Sequence, residues 1–232
     1  MPLINFENNN FYYEIEGHGS PLVLAHPYMS STSHWHKSGW VDVLKNNNKL
    51  IMFDYTGHGK SSCPDEIEKY YISYVSEVMI QILNENNITN FSVFGFSMGG
   101  RICYELIRNY NERIVSMIIG GMHSKPPASH KKIISYKEEN LSPIVKEKFD
   151  LKGLKLSNEA QNEWIGAEDI IQNYLKPCLM FAGSEDPYYN WIESSANKFK
   201  NCELISMNGL GHIGAFWRIN RIKEKIKNFL KL

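Results

Sequence analysis

The chain has 232 residues, 43% of them hydrophobic, and its 25 Lys and Arg are matched by 25 Asp and Glu. That length suits a single domain with a sizeable core, and a net charge of zero offers no field to draw in nucleic acid or an anionic membrane. No apolar run nears the length of a membrane span, and Met1-Pro2-Leu3-Ile4-Asn5 lacks a signal-peptide pattern, so a cytoplasmic protein is expected.

In chain order, Phe11 to Ile15 and Pro21 to Ala25 read as early strands, separated by the turn Glu16-Gly17-His18-Gly19-Ser20. Leu50 to Asp54 is the next strand, followed by the loop Thr56-Gly57-His58-Gly59-Lys60-Ser61. Tyr71 to Asn84 has helical spacing. Phe91 to Phe94 is a strand that runs into a second helical pattern, with Ile102, Leu106 and Tyr110 on one face and Arg101, Glu105 and Arg108 on the other. Ile114 to Ile119 reads as a buried strand ending at Gly120-Gly121. Residues 124–172 carry helical patches and many Lys and Glu but no evident strand, so this segment is expected to lie over the sheet edge as a lid within one domain spanning 1–232. Leu179 to Ala182 and Glu203 to Ser206 are the last strands. Ile213 to Leu230 reads as one basic amphipathic helix. Its cationic residues, among them Arg218, Arg221 and Lys225, fall opposite Phe216, Ile219, Ile222, Ile226 and Phe229, a pattern that packing explains without a protein partner. Alternating strands and helices point to helices on a largely parallel sheet.

The four cysteines have no C-x-x-C or Cys/His metal spacing, and free thiols are expected.

The richest stretch is Phe94-Gly95-Phe96-Ser97-Met98-Gly99-Gly100. A serine at so tight a strand-to-helix turn sits in strained backbone, and glycine flanks it because side chains there would collide with the turn. The turn lifts the hydroxyl above the sheet and aims the first helical N–H groups, starting at Met98, toward it. A serine hydroxyl needs a base within hydrogen-bond reach, itself oriented by an acid. Asp186, in Gly183-Ser184-Glu185-Asp186-Pro187 directly after a strand, is the favoured acid, with Glu185 its rival on the same loop. Among eight histidines, His212 in Gly209-Leu210-Gly211-His212 completes the order Ser, acid, His, each following its own strand. His26 and His58 sit in loops near the same edge, where they are expected to brace the backbone. His18, His34, His36 and His130 lie in polar surroundings.

On these residues, together with Leu24-Ala25-His26-Pro27 and Phe53-Asp54-Tyr55-Thr56-Gly57-His58-Gly59-Lys60-Ser61, the chain resembles the α/β-hydrolase superfamily over almost its full length. The resemblance implies a mostly parallel eight-stranded sheet with helices on both faces, a short helical cap at 124–172, and neither metal nor organic cofactor. It also implies a triad of Ser97 as nucleophile, His212 as base and acid, and Asp186 as orienter. Where the family has His-Gly, this chain has His26-Pro27. The family's usual donor position then falls on Tyr28, whose N–H would join that of Met98 in the oxyanion hole, and a cis His26–Pro27 bond is compatible with the loop.

Met29, Trp35, Met122, Trp164, Tyr188 and Phe216 stand near the active-edge loops and are expected to line a largely apolar pocket, although such residues also build cores. Lys125, Lys131 and Lys132 read as a solvated basic face that would also suit an anionic substrate. The expected partner is a small-molecule ester, lactone or thioester, and nothing in the sequence sets an oligomeric state. The first reading is a carboxylic-ester or lactone hydrolase acting through an acyl-enzyme. An acyl thioesterase, a C–C bond hydrolase, a cofactor-free haloperoxidase and a non-catalytic ligand-binding protein stay open, whereas a dehalogenase would need a carboxylate at position 97.

Overall fold

The structure is a computed structural model that describes residues 2–127 and 149–231. His130, Lys131, Lys132 and the middle of the 124–172 segment lie outside the described residues.

Eight strands form one sheet: β1 (Leu3–Phe6), β2 (Asn9–Glu16), β3 (Ser20–Ala25), β4 (Asn48–Phe53), β5 (Phe91–Phe96), β6 (Ile114–Gly120), β7 (Cys178–Gly183) and β8 (Cys202–Met207). Their spatial order is β1-β2-β4-β3-β5-β6-β7-β8. β1 pairs antiparallel with β2 and β2 with β4, and every pairing from β4 onward in that order is parallel. Helices α1 (Thr32–Lys37), α2 (Trp40–Leu44), α3 (Ile72–Glu85), α4 (Met98–Tyr110), α5 (Leu151–Ala160), α6 (Tyr189–Ala196), α7 (His212–Trp217) and α8 (Lys223–Phe229) surround it. Among the described residues no helix is long and apolar enough to cross a membrane.

The period-two alternation of the strands sorts the core into two layers. Val23, Ile51, Phe53, Val93, Met117, Ile119 and Met180 point to one face, under Val75 and Val78 of α3 and Ile102 and Leu106 of α4. Leu22, Leu24, Leu50, Met52, Phe94, Ile118 and Phe181 point to the other, under Trp35 of α1, Trp40 of α2, Phe216 of α7 and Ile226 of α8. Both faces of the central strands are buried, hence their continuous apolar runs.

The seven expected strands are present, and β1 joins them at the antiparallel edge. It carries little sequence signal because only Ile4 of its four residues is buried. Glu7 and Asn8, both at positive φ, close a two-residue hairpin to β2. The expected single C-terminal helix is instead two. Arg218 leaves helical geometry at ψ 50°, and a 3-10 turn at Ile219–Arg221 separates α7 from α8. The break lets Phe216 and Ile226 reach the same core layer from separate short helices.

The polar face of α4 is not left to water. Residues 149–175 lie across it: the Arg108 guanidinium pairs with Asp169, and the Trp164 indole N–H donates to Glu105 Oε2 at 3.3 Å. At its other end this segment crosses the Thr56–Ser61 loop through Gly153, whose Cα would stand only 2.8 Å from a Cβ on Gly57.

Candidate active site

Ser97 lies between β5 and α4 at φ 54°, ψ −116°, a region that non-glycine residues avoid. The turn that imposes this conformation leaves no room beside it. A Cβ on Gly95 would meet the Gly99 carbonyl at 2.2 Å, and one on Gly99 would meet the Ala25 carbonyl at 2.0 Å. The second contact sets the elbow against the end of β3, so the His26–Met29 loop starts beside it. The Ser97 N–H donates to Gly120 O at 2.8 Å and ties the elbow to the end of β6.

Asp186 follows β7 in a turn closed by its own N–H on Gly183 O. Its carboxylate is fully shielded from solvent and accepts from the Tyr188 N–H at 2.9 Å. A second oxygen lies 2.7 Å from His212 Nδ1, and His212 Nε2 lies 3.0 Å from Ser97 Oγ. Three groups separated by up to 115 positions thus form one continuous chain of hydrogen bonds. With Nδ1 donating to the carboxylate, Nε2 is left as the acceptor for the serine hydroxyl.

The two loops that carry the acid and the histidine are joined by main chain. The Glu185 N–H donates to Leu210 O at 2.9 Å, and a Cβ on Gly183 would lie 1.9 Å from that same oxygen. The imidazole is walled by Phe96, 5.3 Å away between ring centres, and by the edge of Tyr188 at 6.1 Å. Gly121 closes a third side: a Cβ there would stand 3.0 Å from His212 Cε1. The doublet Gly120-Gly121 was visible in the sequence as a strand end, but its contact with His212 depends on how β6 and α7 meet.

The loop opposite is braced by neutral histidines. His26 stacks on Tyr55 at 3.6 Å, its Nδ1 donates to Pro27 O at 2.8 Å, and its Nε2 accepts the Tyr55 N–H at 3.4 Å. Burial holds its pKa well below the usual histidine value and pushes that of His58 down to about 4. The His26–Pro27 bond is trans, as are all the described peptide bonds, and the loop turns at Met29 with φ 54°. Asp54 clamps the base of this region by accepting from the Thr32 and Lys60 N–H groups at 2.7 and 2.9 Å.

The expected pocket residues divide. Tyr188 faces His212, and Met98 sits at the elbow, its sulfur accepting from Ser157 Oγ. Tyr28 extends from its loop to donate its hydroxyl to Leu154 O at 2.7 Å, joining the loop to α5. Met29 is half-buried at its turn, and Met122 packs behind Gly100. Trp35 does not line a pocket. It is wholly buried on the far side of the sheet between Phe94 and Phe216, and Phe216 belongs to that same layer. Trp164 packs on Tyr104 and bonds Glu105 along α4. In each case the aromatic face found more area in the core than at an opening.

Among the described residues one group, Glu14, Glu16 and His36, brings three potential metal-ligand atoms within 4.8 Å of one another. Hydrogen bonds account for it: Glu14 already binds the Tyr12 hydroxyl, the Thr32 hydroxyl and His36 Nε2. The four cysteines are free thiols.

Comparison with known proteins agrees with this architecture. The chain is 24% identical, over all of both chains, to a putative non-heme chloroperoxidase from Synechocystis sp.. It is 24% identical to the putative 2-succinyl-6-hydroxy-2,4-cyclohexadiene-1-carboxylate synthase of Bacillus subtilis over 42% of this chain and 35% of that protein. The match thus spans about a third of the Bacillus relative's length. Among solved structures, the enol-lactonase from Burkholderia xenovorans LB400 superposes with a TM-score of 0.85 at 16% identity, covering 100% of both chains. The family model for the alpha/beta hydrolase fold matches residues 20–136, half of the chain, and the protein belongs to that family.

Proposed function

We propose that the protein is a serine hydrolase that cleaves a carboxylic ester or lactone through an acyl-enzyme, with Ser97, His212 and Asp186 as its triad. The observation that carries this reading is the unbroken series Ser97 Oγ, His212 Nε2, His212 Nδ1, Asp186, with both contacts at 3.0 Å or less. The family supports hydrolysis, and solved structures of the same fold include esterases and lactonases.

In this reading Ser97 Oγ attacks the substrate carbonyl carbon while His212 Nε2 takes its proton. The Met98 and Tyr28 N–H groups bear the oxyanion that forms. Collapse of the tetrahedral intermediate expels the alcohol, or opens the lactone ring, as His212 returns the proton to the leaving oxygen. A water deprotonated by His212 then attacks the acyl-serine, and its collapse releases the acid and restores the Ser97 hydroxyl. Asp186 holds the imidazole in the required tautomer and offsets the imidazolium charge. Residues 124–172 act as a short cap, with Tyr28 and Leu154 joining it to the oxyanion loop.

A fluorophosphonate probe and a 4-nitrophenyl ester series of graded chain length, run beside lactones and acyl thioesters, test this. The wild type labels at Ser97 and turns over oxygen esters or lactones, and Ser97→Ala does neither while keeping the wild-type fold. Absence of labelling would identify a binding protein on a hydrolase scaffold. A steep preference for thioesters would replace ester with thioester in the reading.

A further inference from the structure

Arg101 is the feature that neither the triad nor the core explains. It lies in the first turns of α4, four residues after Ser97 and therefore about 6 Å further along the same axis. The residue is 3% exposed, yet no carboxylate among the described residues pairs with it. Its Nε has no hydrogen-bond partner. Among the described residues its two hydrogen bonds are from Nη1, to Gln161 O at 3.4 Å and Gln161 Oε1 at 3.3 Å, and both are long. The Trp164 ring lies 5.3 Å from the guanidinium carbon. Burial lowers its pKa only to about 10, so the group is a cation at neutral pH.

An uncompensated buried charge is among the most destabilising features a core can hold. Among the described residues the Nε of this cation is unpartnered and no carboxylate faces it, which leaves room for a partner brought by the substrate. Its surroundings locate that partner at the site. The Tyr188 side chain lies within electrostatic reach of Arg101 and also packs on His212. His123, the next residue after Met122, lies against Tyr188 and feels the charge of both Arg101 and Asp186. Burial and Arg101 push its pKa down to about 4, so it stays neutral and does not compete for an anion. Lys125, with its Nζ 6.0 Å from the Trp191 ring centre, adds a second positive charge next to His123.

We propose that Arg101 is a specificity residue that receives a carboxylate on the substrate, so that the natural ester or lactone bears an acid group remote from the bond that Ser97 attacks. This rests on the acyl-enzyme reading above and narrows its substrate class. A carboxylate is favoured over a phosphate because one planar guanidinium edge matches two oxygens and one negative charge.

The test uses two matched substrate pairs, one for each side of the scissile bond. Mono-4-nitrophenyl adipate is set against 4-nitrophenyl hexanoate, and 4-acetoxybenzoate against phenyl acetate. In at least one pair the wild type prefers the anionic member by about ten- to a hundredfold in kcat/KM, mostly through KM. Arg101→Gln erases that preference, and Arg101→Lys restores part of it. A measurement that needs no variant accompanies this: adipate inhibits the wild type competitively and raises its Tm, whereas adipamide does neither. Arg101→Met melts at or above the wild-type temperature, because it removes an unpaired charge, and adipate no longer shifts it. Equal treatment of both members of both pairs, or a preference that survives Arg101→Gln, overturns the proposal. So does unfolding of Arg101→Met without any adipate response in the wild type, which would make Arg101 a structural residue. Fluorophosphonate labelling separates the two levels. A protein that labels at Ser97 but ignores substrate charge refutes this proposal alone, and one that fails to label refutes the acyl-enzyme reading.

Discussion

Gly121→Ala separates a positioning role from ordinary backbone strain. Gly121 has φ +60°, and a Cβ built there lies 3.0 Å from His212 Cε1, 3.2 Å from His212 Nδ1 and 3.0 Å from Phe96 Cζ. Ordinary contact begins near 3.4 Å, so the imidazole must retreat by about 0.4 Å or more. The Phe96 ring blocks one direction of retreat, so the motion falls on the 3.0 Å contact with Ser97. A misplacement of that order costs about tenfold to a hundredfold in kcat, and the left-handed backbone adds about 1 kcal/mol of lost stability. Gly209→Ala is the matched control: its φ is +71°, but nothing lies within 4 Å of its added Cβ. It carries the same backbone cost without touching the imidazole. Steady-state kinetics on a 4-nitrophenyl ester, the rate of fluorophosphonate labelling and urea denaturation are measured on both variants. The expected result is a similar stability loss in each, with kcat and labelling rate depressed in Gly121→Ala alone. Wild-type kcat in Gly121→Ala, or equal losses of activity in the two, would refute the assignment of His212 as a base fixed by this wall.

Other outcomes follow from the same geometry. Asp186→Asn puts a carboxamide of the same shape in place of the carboxylate and no longer holds His212 in the tautomer that accepts from Ser97, so kcat falls by about 10³–10⁴ with little change in KM, measured by ester kinetics. Asp54→Ala orphans the Thr32 and Lys60 N–H groups and costs about 2–4 kcal/mol in urea denaturation. His58 has a folded-state pKa of about 4, below its unfolded value of about 6.5, so the stability it contributes is complete above pH 6.5 and is lost as pH falls toward 4. That loss amounts to about 3 kcal/mol, and His58→Gln should flatten the stability–pH curve over this window in denaturation titrations.

Local chemistry wrote much of this protein into its sequence. Short apolar, β-prone runs marked seven strands, and the glycines around Ser97 announced a turn that admits no side chains. Asp186 and His212 were legible because each follows a strand and, in a parallel sheet, strand ends gather at one edge. The order Ser, acid, His singled them out, and the formed sheet brought them to Ser97.

What tertiary structure decided were the questions of which surface each side chain meets. Trp35, Phe216 and Trp164 have the composition of a pocket, yet they went into the core, because burial area is set by packing partners that sequence spacing does not specify. Arg101 and Glu105 look like the solvent side of an amphipathic helix, and they became buried when residues 149–175 folded across α4. Gly121 gained its place beside His212 only when β6 and α7 met. Backbone conformation and hydrophobic period act over a few residues and can be read from the chain. Contacts between segments far apart depend on which layer closes over which, and that is settled only when the whole sheet has formed.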